Sequence, residues 1–429
     1  MSAPLEAVLV GAGSRGHFAY GPYALNHPDQ LRFTAVVEPH EERRARFAKA
    51  HGISPEHCFR TWEELYAQGR LADVLLNCSL DRMHFDSTLP ALEQGYDVLL
   101  EKPMTPALRT NVQLVKRAEQ QGRLLMICHV LRYTGFFARI HEILASGRLG
   151  EVITVEHREN VSFWHMAHSF VRGNWRNSAL ECPMILAKCC HDLDLLFWNM
   201  GPVRRLQSFG ALQHYRSENA PPGAPDRCTA GCPHAETCEW NAPRFYIRDD
   251  GNTGWPVSVL AEDPTPENLR QALETGPYGR CVFRCDNDVV DHQTVNLEFE
   301  SGATGVLFMH GHSHEESRTM RYDGTRATLR ARFTYKEEEC MIEVHDHRTG
   351  SVERVPFDTG ESGHGGGDAG IMKAFVEGVR NPQTALTTAR ESLESHLMAF
   401  AAEQSRLAHQ VIDMAAFRQQ AEAQVPTAS

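Results

Sequence analysis

A glycine-rich turn near the start of the chain constrains the fold more than any other feature. An apolar run ending at Val10 predicts a short strand, and Gly11-x-Gly13-x-x-Gly16 follows it directly. In a dinucleotide-binding fold, the first glycine makes the tight turn, the second admits a pyrophosphate and the third lets a helix pack close to its strand. A second apolar run then ends at Glu38. The whole pattern favours such a domain over an isolated structural turn with a solvated glutamate.

Strand and helix patterns alternate through the first 128 residues, which predicts a Rossmann domain with a doubly wound parallel sheet. Ligands of such sheets bind beyond the carboxyl ends of the strands. The loops at those ends should therefore meet in one crevice. A glutamate at position 38 would bind ribose hydroxyls and repel a 2′-phosphate, which favours NAD over NADP. The predicted cofactor-binding residues are Gly11, Gly13, Ser14, Arg15, Gly16, Glu38, Asn77, Ser79, His84, Glu101 and Lys102.

The tripeptide Glu101-Lys102-Pro103 follows one of these predicted strands. A lysine beside the nicotinamide position can hydrogen-bond a substrate hydroxyl and stabilise the alkoxide that forms as hydride leaves. The alternative is an exposed loop lysine without a function. The preceding glycine-rich turn favours the catalytic interpretation.

Bulk composition excludes several classes of function. The formal net charge of −12 leaves no basic excess to neutralise the phosphates of a nucleic acid. No apolar run approaches the length of a membrane span, and the N-terminus lacks the features of a secretion signal, so we expect a cytoplasmic protein that does not bind membranes. Twelve cysteines in 429 residues do not indicate a disulfide framework.

The segment ILAKCCHDLDLLFW carries ionisable residues within an otherwise apolar run. Pro183 and Gly201 delimit it, which predicts one helix of about four turns with Lys188, His191 and Asp192 on one face. A histidine there can take a proton from a hydroxyl, and a nearby aspartate can hold its tautomer. The alternative is a structural ion network of Lys188 with Asp192.

These motifs resemble those of the glucose–fructose oxidoreductase / inositol dehydrogenase / MocA family. The resemblance covers nearly the whole chain. It implies a C-terminal α/β domain with a large open mixed sheet, here 129–429, a nicotinamide cofactor and a sugar or polyol substrate. It also implies that His191 is catalytic beside Lys102, and that the chain forms a homodimer or homotetramer. The shared motifs are Gly11-Ala-Gly13-Ser-Arg-Gly16, His84 before a helix, Val98-Leu-Leu-Glu101-Lys102-Pro103, the pair Trp175-Arg176 and the helix with His191.

One family position differs, because Ala187 stands where the family has an aspartate four residues before the histidine. The predicted activity is NAD-dependent oxidation of a sugar hydroxyl, with His191 as the base and Lys102 stabilising the oxyanion. The second possibility is an NAD-requiring glycosidase. Such an enzyme oxidises a sugar hydroxyl, eliminates the aglycone, adds water and reduces the ketone, here with Lys188, Asp192 or His292 as an additional base. A non-catalytic NAD-binding regulator is the third, and retention of both Lys102 and His191 speaks against it.

Sugar-binding residue types cluster around the helix that contains His191. Tryptophan rings offer faces to pyranose C–H groups, and polar side chains offer donors. The arginines can equally grip an anionic group, so the predicted ligand is a carbohydrate, including a glycoside or an anionic sugar. The predicted substrate-binding residues are Tyr133, Trp164, His165, Arg172, Trp175, Arg176, Asp291, His292 and His364.

The segment 213–285 is rich in loops and predicts an insertion in the second domain. We expect a structural zinc site of Cys228, Cys232, Cys238 and Cys281; an iron–sulfur cluster and free buried thiols are the alternatives. Near the C-terminus, a capping box at Thr388 begins what the sequence predicts to be the last helix, packed against the first domain.

Overall fold

The computed structural model describes residues 3–248, 250–360 and 363–425, and two sheets organise them. The first sheet contains β1 (Leu5–Val10), β2 (Leu31–Val37), β3 (Cys58–Phe59), β4 (Val74–Asn77), β5 (Asp97–Leu100) and β6 (Leu125–Ile127). These strands are parallel, in the order β3-β2-β1-β4-β5-β6. The strand order reverses beside β1, so the crevice for a ligand lies at the carboxyl ends of β1 and β4. The predicted doubly wound sheet is confirmed.

Helices connect these strands and cover both faces of the sheet. They are α1 (Gly21–Asn26), α2 (Glu41–His51), α3 (Trp62–Tyr66), α4 (His84–Glu93) and α5 (Leu108–Gln121). A π-helix, Ser14–Tyr20, precedes α1 and begins inside the glycine-rich turn. Most residues of these strands are buried, as a sheet covered on both faces requires.

The second sheet has nine strands and combines parallel with antiparallel pairs. Its strands are β7 (Val152–Ser162), β8 (Val203–Ala211), β9 (His292–Phe299), β10 (Thr304–Ser313), β11 (Ser317–Gly324), β12 (Ala327–Thr334), β13 (Met341–Asp346), β14 (Val352–Arg354) and β15 (Ile412–Asp413). Only the pair of β10 with β7 is parallel among the described strands of this sheet. The large mixed sheet implied by the family resemblance is confirmed.

The remaining helices pack mainly on one face of this sheet and against the first domain. They are α6 (Gly135–Ala145), α7 (Phe163–His165), α8 (Met184–Ala187), α9 (Cys190–Met200), α10 (Ala242–Tyr246), α11 (Pro266–Thr275), α12 (Gly367–Arg380), α13 (Ala389–Ala408) and α14 (Met414–Ala423). None of the helices within the described ranges combines the length and the apolar character that a membrane crossing needs.

The single helix predicted between Pro183 and Gly201 is wrong in one respect. The chain forms two helices, α8 and α9, with a break at Lys188 and Cys189, where Cys189 has φ −93° and ψ 7°. Lys188 therefore lies outside the helix that carries His191. The break directs the lysine towards carboxylates of the second sheet, which accounts for the departure from a continuous helix.

The prediction that the helix after Thr388 is the last one is also wrong, because α14 follows it. The capping interaction is present, with the Glu391 amide donating to Thr388 Oγ1 at 3.3 Å. As predicted, α13 packs against the first domain: Arg390 pairs with Glu119 of α5 at 2.8 Å. This helix thus ties the two sheets together beside the end of β5.

Acid is expected to destabilise the protein through His396, a buried residue of α13. Its Nε2 accepts the Met104 amide at 2.8 Å, which requires a neutral ring, and burial lowers its pKa to about 3. Because the unfolded ring titrates near 6.5, only the unfolded state takes up a proton as the pH falls below that value. The free energy of unfolding should fall by about 2 kcal/mol from this residue between pH 7 and pH 5.

Urea unfolding at these two pH values measures the effect. The variant His396→Gln has no titrating group, so its stability should depend less on pH by that amount. An equal pH dependence in the wild-type protein and the variant would contradict the prediction.

Candidate active site

The three glycines of the turn after β1 have the geometry that a dinucleotide requires. Gly11 has φ +90°, and a Cβ there would lie 2.6 Å from the carbonyl oxygen of Cys78. A Cβ on Gly16 would lie 2.1 Å from the Gly11 oxygen, so any side chain would separate the helix from the strand. A Cβ on Gly13 would meet nothing within 4 Å, which leaves its backbone open to a ligand. These residues fit the predicted cofactor site.

Glu38 lies directly after β2 and reaches this turn. Its carboxylate accepts hydrogen bonds from the Ala12 amide at 2.8 Å and the His40 amide at 3.0 Å, and the residue is 6% exposed. Two backbone donors fix the side chain while leaving acceptor capacity on both oxygens. The position is suited to accepting ribose hydroxyls.

Arg15 connects the glycine turn to the second domain. Its Nε lies 2.5 Å from Glu101 Oε1, and its Nη2 lies 2.8 Å from Asp368 Oδ1. Although burial opposes it, the charges of Arg15 and Lys102 lower the pKa of Glu101. His364 joins the network through Nδ1, 3.1 Å from Asp368. Asp368 thus acts as an ion-pair partner in the first turn of α12, whose N-cap is Gly366.

The predicted residues after β4 form an internal support. Asn77 donates to Ser87 and Thr88 and accepts from Ser79 Oγ at 2.7 Å. The ring nitrogens of His84 lie 2.9 Å from the Pro103 oxygen and 3.1 Å from the Ser79 oxygen. The Lys102-Pro103 peptide bond is cis. His84 therefore supports the turn that carries Lys102, because its ring contacts the backbone of both Pro103 and Ser79.

Lys102 and His191 come from the two domains and share one environment. The Lys102 ammonium lies 3.3 Å from the carbonyl oxygen of Ala187 and forms no ion pair with a described residue. His191 is 7% exposed, and neither ring nitrogen has a hydrogen-bond partner among the described residues. Burial and the positive charge of Lys102 lower the pKa of His191 well below its usual value. The ring is therefore neutral near pH 7.

A second buried histidine, His129, lies edge-on to His191 with ring centroids 5.6 Å apart. Burial lowers its pKa to about 4, against the charge of Asp194, which lies 3.9 Å away. Asp194 itself makes a two-pronged ion pair with Arg132, with both distances 2.7 Å. This carboxylate is therefore committed to Arg132, and His191 keeps its nitrogens free.

Lys188 is held by two carboxylates of the second sheet. Its Nζ lies 2.7 Å from Glu316 and 3.3 Å from Glu159. Burial would lower the pKa of Lys188, but these charges raise it above its usual value. The predicted structural partner was Asp192; the structure gives Lys188 other partners, contributed by β7 and by the turn before β11.

Asp192 belongs to the same buried network at its other end. It accepts from His157 at 2.8 Å and from Arg318 at 2.9 Å. Burial raises the pKa of Glu159 to about 7, although Arg318 and Lys188 oppose this shift. Asp192 thus points away from His191 into the sheet. A role for it in holding the tautomer of His191 remains a prediction.

Two of the predicted substrate residues lie next to this network. His165 Nδ1 lies 2.9 Å from Glu316, and Trp164 is half-buried beside it with ring centroids 5.7 Å apart. Burial and the Lys188 charge lower the pKa of His165, and Lys102 contributes to the same shift. The Lys102 ammonium is therefore close enough to His165 to affect its pKa.

Two other predicted residues contact the crevice through partners that the sequence did not indicate. Trp175 donates to Asp81 at 2.7 Å. Burial raises the pKa of this aspartate, and the charge of Lys102 opposes the shift. The Tyr133 hydroxyl lies 3.0 Å from Thr387 Oγ1. Hydrogen bonds therefore hold both side chains in place, and that of Trp175 goes to an aspartate on which the Lys102 charge acts.

The remaining predicted residues are committed to the insertion. Arg172 is buried and donates to the carbonyl oxygens of Arg280 and Trp240, while Arg176 pairs with Asp286 at 2.9 Å. Asp291 accepts the amides of Gln213 and His214 at 2.9 and 2.6 Å, and it also accepts His292 Nδ1 at 2.8 Å. The structure thus gives each of these groups a partner that holds the insertion on the sheet.

The four cysteines chosen for zinc line one small cavity together with Arg172. The guanidinium Nη2 of Arg172 lies 3.6 Å from Cys228 Sγ. However, the described part of the chain contains no group of three or more His, Cys, Asp or Glu side chains placed to hold a metal ion. The prediction of a zinc site is therefore not supported, and all four cysteines are free.

The two sheets and the open glycine turn place the chain among two-domain oxidoreductases with an NAD-binding Rossmann fold. Family models agree with this assignment. Residues 5–129 match the oxidoreductase family with an NAD-binding Rossmann fold, and residues 141–414 match its C-terminal alpha/beta domain. The chain therefore belongs to the Gfo/Idh/MocA oxidoreductase family.

Individual relatives are distant. YteT of Bacillus subtilis (strain 168) is 23% identical over 324 residues, which are 71% of this chain and 72% of YteT. D-glucoside 3-dehydrogenase of Escherichia coli (strain K12) is 26% identical over 35% of this chain and 42% of its own length. Inositol 2-dehydrogenase of Corynebacterium glutamicum (strain R) is 24% identical over 47% of this chain and 56% of its own length. The last two matches thus span about half of each relative.

Solved structures share the fold over almost the whole chain. An oxidoreductase from Agrobacterium radiobacter in complex with NAD⁺, L-tartaric acid and magnesium has a TM-score of 0.68 at 14% identity. Aldose-aldose oxidoreductase from Caulobacter crescentus, complexed with glycerol, has a TM-score of 0.69 at 14% identity. Each superposition covers 96% of this chain and 99% of the other.

Proposed function

We propose that this protein is an NAD-dependent dehydrogenase of a hydroxyl group on a sugar or sugar derivative. One observation carries the proposal: the neutral His191 has both ring nitrogens free of described partners, and the adjacent Lys102 has no described counter-ion. The charged groups packed around them are paired with one another. A free base next to a free cation is the arrangement that removal of a proton from an alcohol requires.

Each residue then has a separate task. His191 accepts the hydroxyl proton, and Lys102 stabilises the negative charge that develops on the same oxygen. The glycine turn and Glu38 would hold NAD, which would supply the acceptor for the hydride of the carbon. The backbone oxygen of Ala187, at the position where the family has an aspartate, lies 3.3 Å from Lys102 and orients its ammonium.

The charges around the site favour a neutral substrate over an anionic one. Arg172 and Arg176, the predicted grips for an anion, are engaged by backbone carbonyls and by Asp286. Two distant relatives are named for a glucoside and for inositol, which are uncharged polyols. We therefore infer a neutral carbohydrate as the substrate class.

The glycosidase alternative needs an additional base, for which Lys188, Asp192 and His292 are the candidates. Glu159 and Glu316 hold this lysine in its charged form, and a charged ammonium does not accept a proton. This pairing favours the dehydrogenase.

A panel of neutral sugars, polyols and methyl glycosides tests the proposal. NADH formation is followed at its absorbance band, and released alcohol is measured in the same samples. Net NADH that accumulates in proportion to the oxidised sugar supports the dehydrogenase. Release of the alcohol with only catalytic NAD and no net NADH would overturn it in favour of the glycosidase, and no reaction at all would favour the regulator.

We expect Glu38→Gln to shift the cofactor preference towards NADP. The amide keeps an oxygen that can accept the Ala12 hydrogen bond but removes the charge that repels a 2′-phosphate. The ratio of kcat/KM for NADP to that for NAD should rise by about 10-fold or more, since charged hydrogen bonds contribute about 1.5–3 kcal/mol. Steady-state kinetics with both cofactors measure it, with Glu42→Gln on α2 as the matched control. An unchanged ratio would show that Glu38 does not select the cofactor.

Two further proposals are a homodimer or homotetramer, which rests on the family resemblance, and a cytoplasmic location, which rests on the sequence features given above. Sedimentation of the purified protein tests the first. The predicted zinc is not part of the proposed function, because the geometry of the described residues does not support it.

A further inference from the structure

An exposed tryptophan from the insertion lies beside the candidate active site. Trp255 is 46% exposed, although its ring also packs edge-on against His165 at a centroid distance of 5.1 Å. Further ring contacts, to Trp164 and His168, lie at 5.5 Å. These contacts hold the indole in position while leaving much of its surface open to solvent.

A continuous series of contacts joins this ring to the reacting groups. Trp255 contacts His165, which bonds Glu316 at 2.9 Å, and Glu316 bonds Lys188 at 2.7 Å. Lys188 precedes His191 by three residues, and the Lys102 charge acts on His165. The indole therefore packs beside the residues that adjoin the reacting groups, since Lys188 follows Ala187, whose carbonyl oxygen lies 3.3 Å from the Lys102 ammonium.

The chemistry at this edge suits an uncharged ring. The cations Lys188 and Arg318 face the carboxylates of Glu159, Asp192 and Glu316, so the cluster has no surplus positive charge for a phosphate or a carboxylate. A sugar or aryl ring has an apolar face for the indole, and the hydroxyls of a sugar ring can bond Nε2 of His165, whose Nδ1 is held by Glu316.

We propose that Trp255 forms a second subsite, which binds the outer ring of a neutral glycoside while its inner sugar lies between Lys102 and His191. The substrate class is thereby narrowed from a free sugar to a glycoside with a ring-shaped substituent. This inference rests on the proposed dehydrogenase function. It assigns to the insertion a task at the active site.

Kinetics of Trp255→Ala with paired substrates test the subsite. The substrates are two pairs, methyl and 4-nitrophenyl β-D-glucoside and the two corresponding galactosides. The two members of each pair differ only in the outer group. KM for the nitrophenyl member should rise about 10-fold, KM for the methyl member should stay within about twofold, and kcat should hold for both. Trp255→Phe keeps an aromatic face and should retain most of the difference. Phe209→Ala, which removes a 54% exposed ring on β8, is the matched control.

The outcomes separate the two proposals. Equal changes in KM for both substrates, or no change for either, overturn the subsite while leaving the dehydrogenase intact. If the wild-type protein oxidises no glycoside, the panel of sugars and polyols decides on the dehydrogenase, and calorimetric binding of the nitrophenyl glucoside with NAD⁺ present decides on the subsite. Weaker binding to Trp255→Ala than to wild-type protein then supports it, and equal binding overturns it.

Discussion

Replacing Lys102 with methionine is expected to lower kcat by about 10²–10³-fold while the affinity for NAD changes little. Methionine approximates the length of the lysine side chain but removes the charge that stabilises an oxyanion at this position. The Lys102 ammonium has no described ion-pair partner, so its loss breaks no direct ion pair, and the buried Glu101 keeps its contact with Arg15. The loss should therefore appear in the chemical step rather than in folding.

Stopped-flow and steady-state measurements of NADH formation, together with calorimetric binding of NAD, measure both parts of this prediction. Lys373→Met on α12 is the matched control, because that lysine is exposed and its surface ion pair with Glu377 is long, at 4.0 Å. A Lys102→Met enzyme with near-normal kcat would remove Lys102 from the mechanism. Loss of NAD binding in parallel with kcat would instead make it a cofactor ligand.

The first domain could be predicted closely because its determinants are local. The turn Gly11 to Gly16, the acid at Glu38 and the tripeptide around Lys102 each depend on neighbours within a few residues and on the standard order of a doubly wound sheet. Such features keep their meaning wherever the rest of the chain goes. The positions of His191 and of the second sheet came from the family resemblance instead.

The partners of Lys188 could not be predicted, because they lie far away in the sequence. Glu316 is 128 positions from Lys188, and β7 and β11 must pair before Glu159 and Arg318 meet. A weak signal was present in β7, where His157 and Glu159 lie between Val155 and Val161 on the face that becomes buried. Polar residues at buried strand positions indicate a network but not its members.

The cysteine prediction fails for a related reason. The structure places Cys228 and Cys281 around one cavity, as grouped from the sequence, but the described residues do not form a group that could hold a metal ion. Arg172, predicted as a substrate ligand, is buried in the same place and bonds two backbone carbonyls. An arginine in a polar loop has the same appearance in sequence whether it binds a ligand or holds the loop.

Replacing His191 with alanine is expected to lower kcat/KM by about 10²–10⁴-fold, the usual contribution of a positioned general base. The pH profile gives a second readout. Burial and the charges of Lys102, Arg318 and the nearby histidines 129 and 364 lower the pKa of His191 well below 6.5. A base must be unprotonated to act, so activity should be lost only as the pH falls through this lowered pKa. The wild-type kcat/KM should therefore remain level from pH 8 to below pH 6.5, and the acid limb should disappear in the variant.

Added imidazole should restore part of the activity of His191→Ala if the missing group is a proton acceptor, since the cavity left by the side chain borders the substrate. His314→Ala provides the control, because its side chain is 88% exposed. An acid limb centred near pH 6.5 would mean that His191 titrates as a solvated ring does, and an unchanged limb in His191→Ala would assign it to another group. Either result would show that the neutral imidazole of His191 is not the proton acceptor. Catalysis would then not explain why this buried ring has no hydrogen-bond partner among the described residues of the protein.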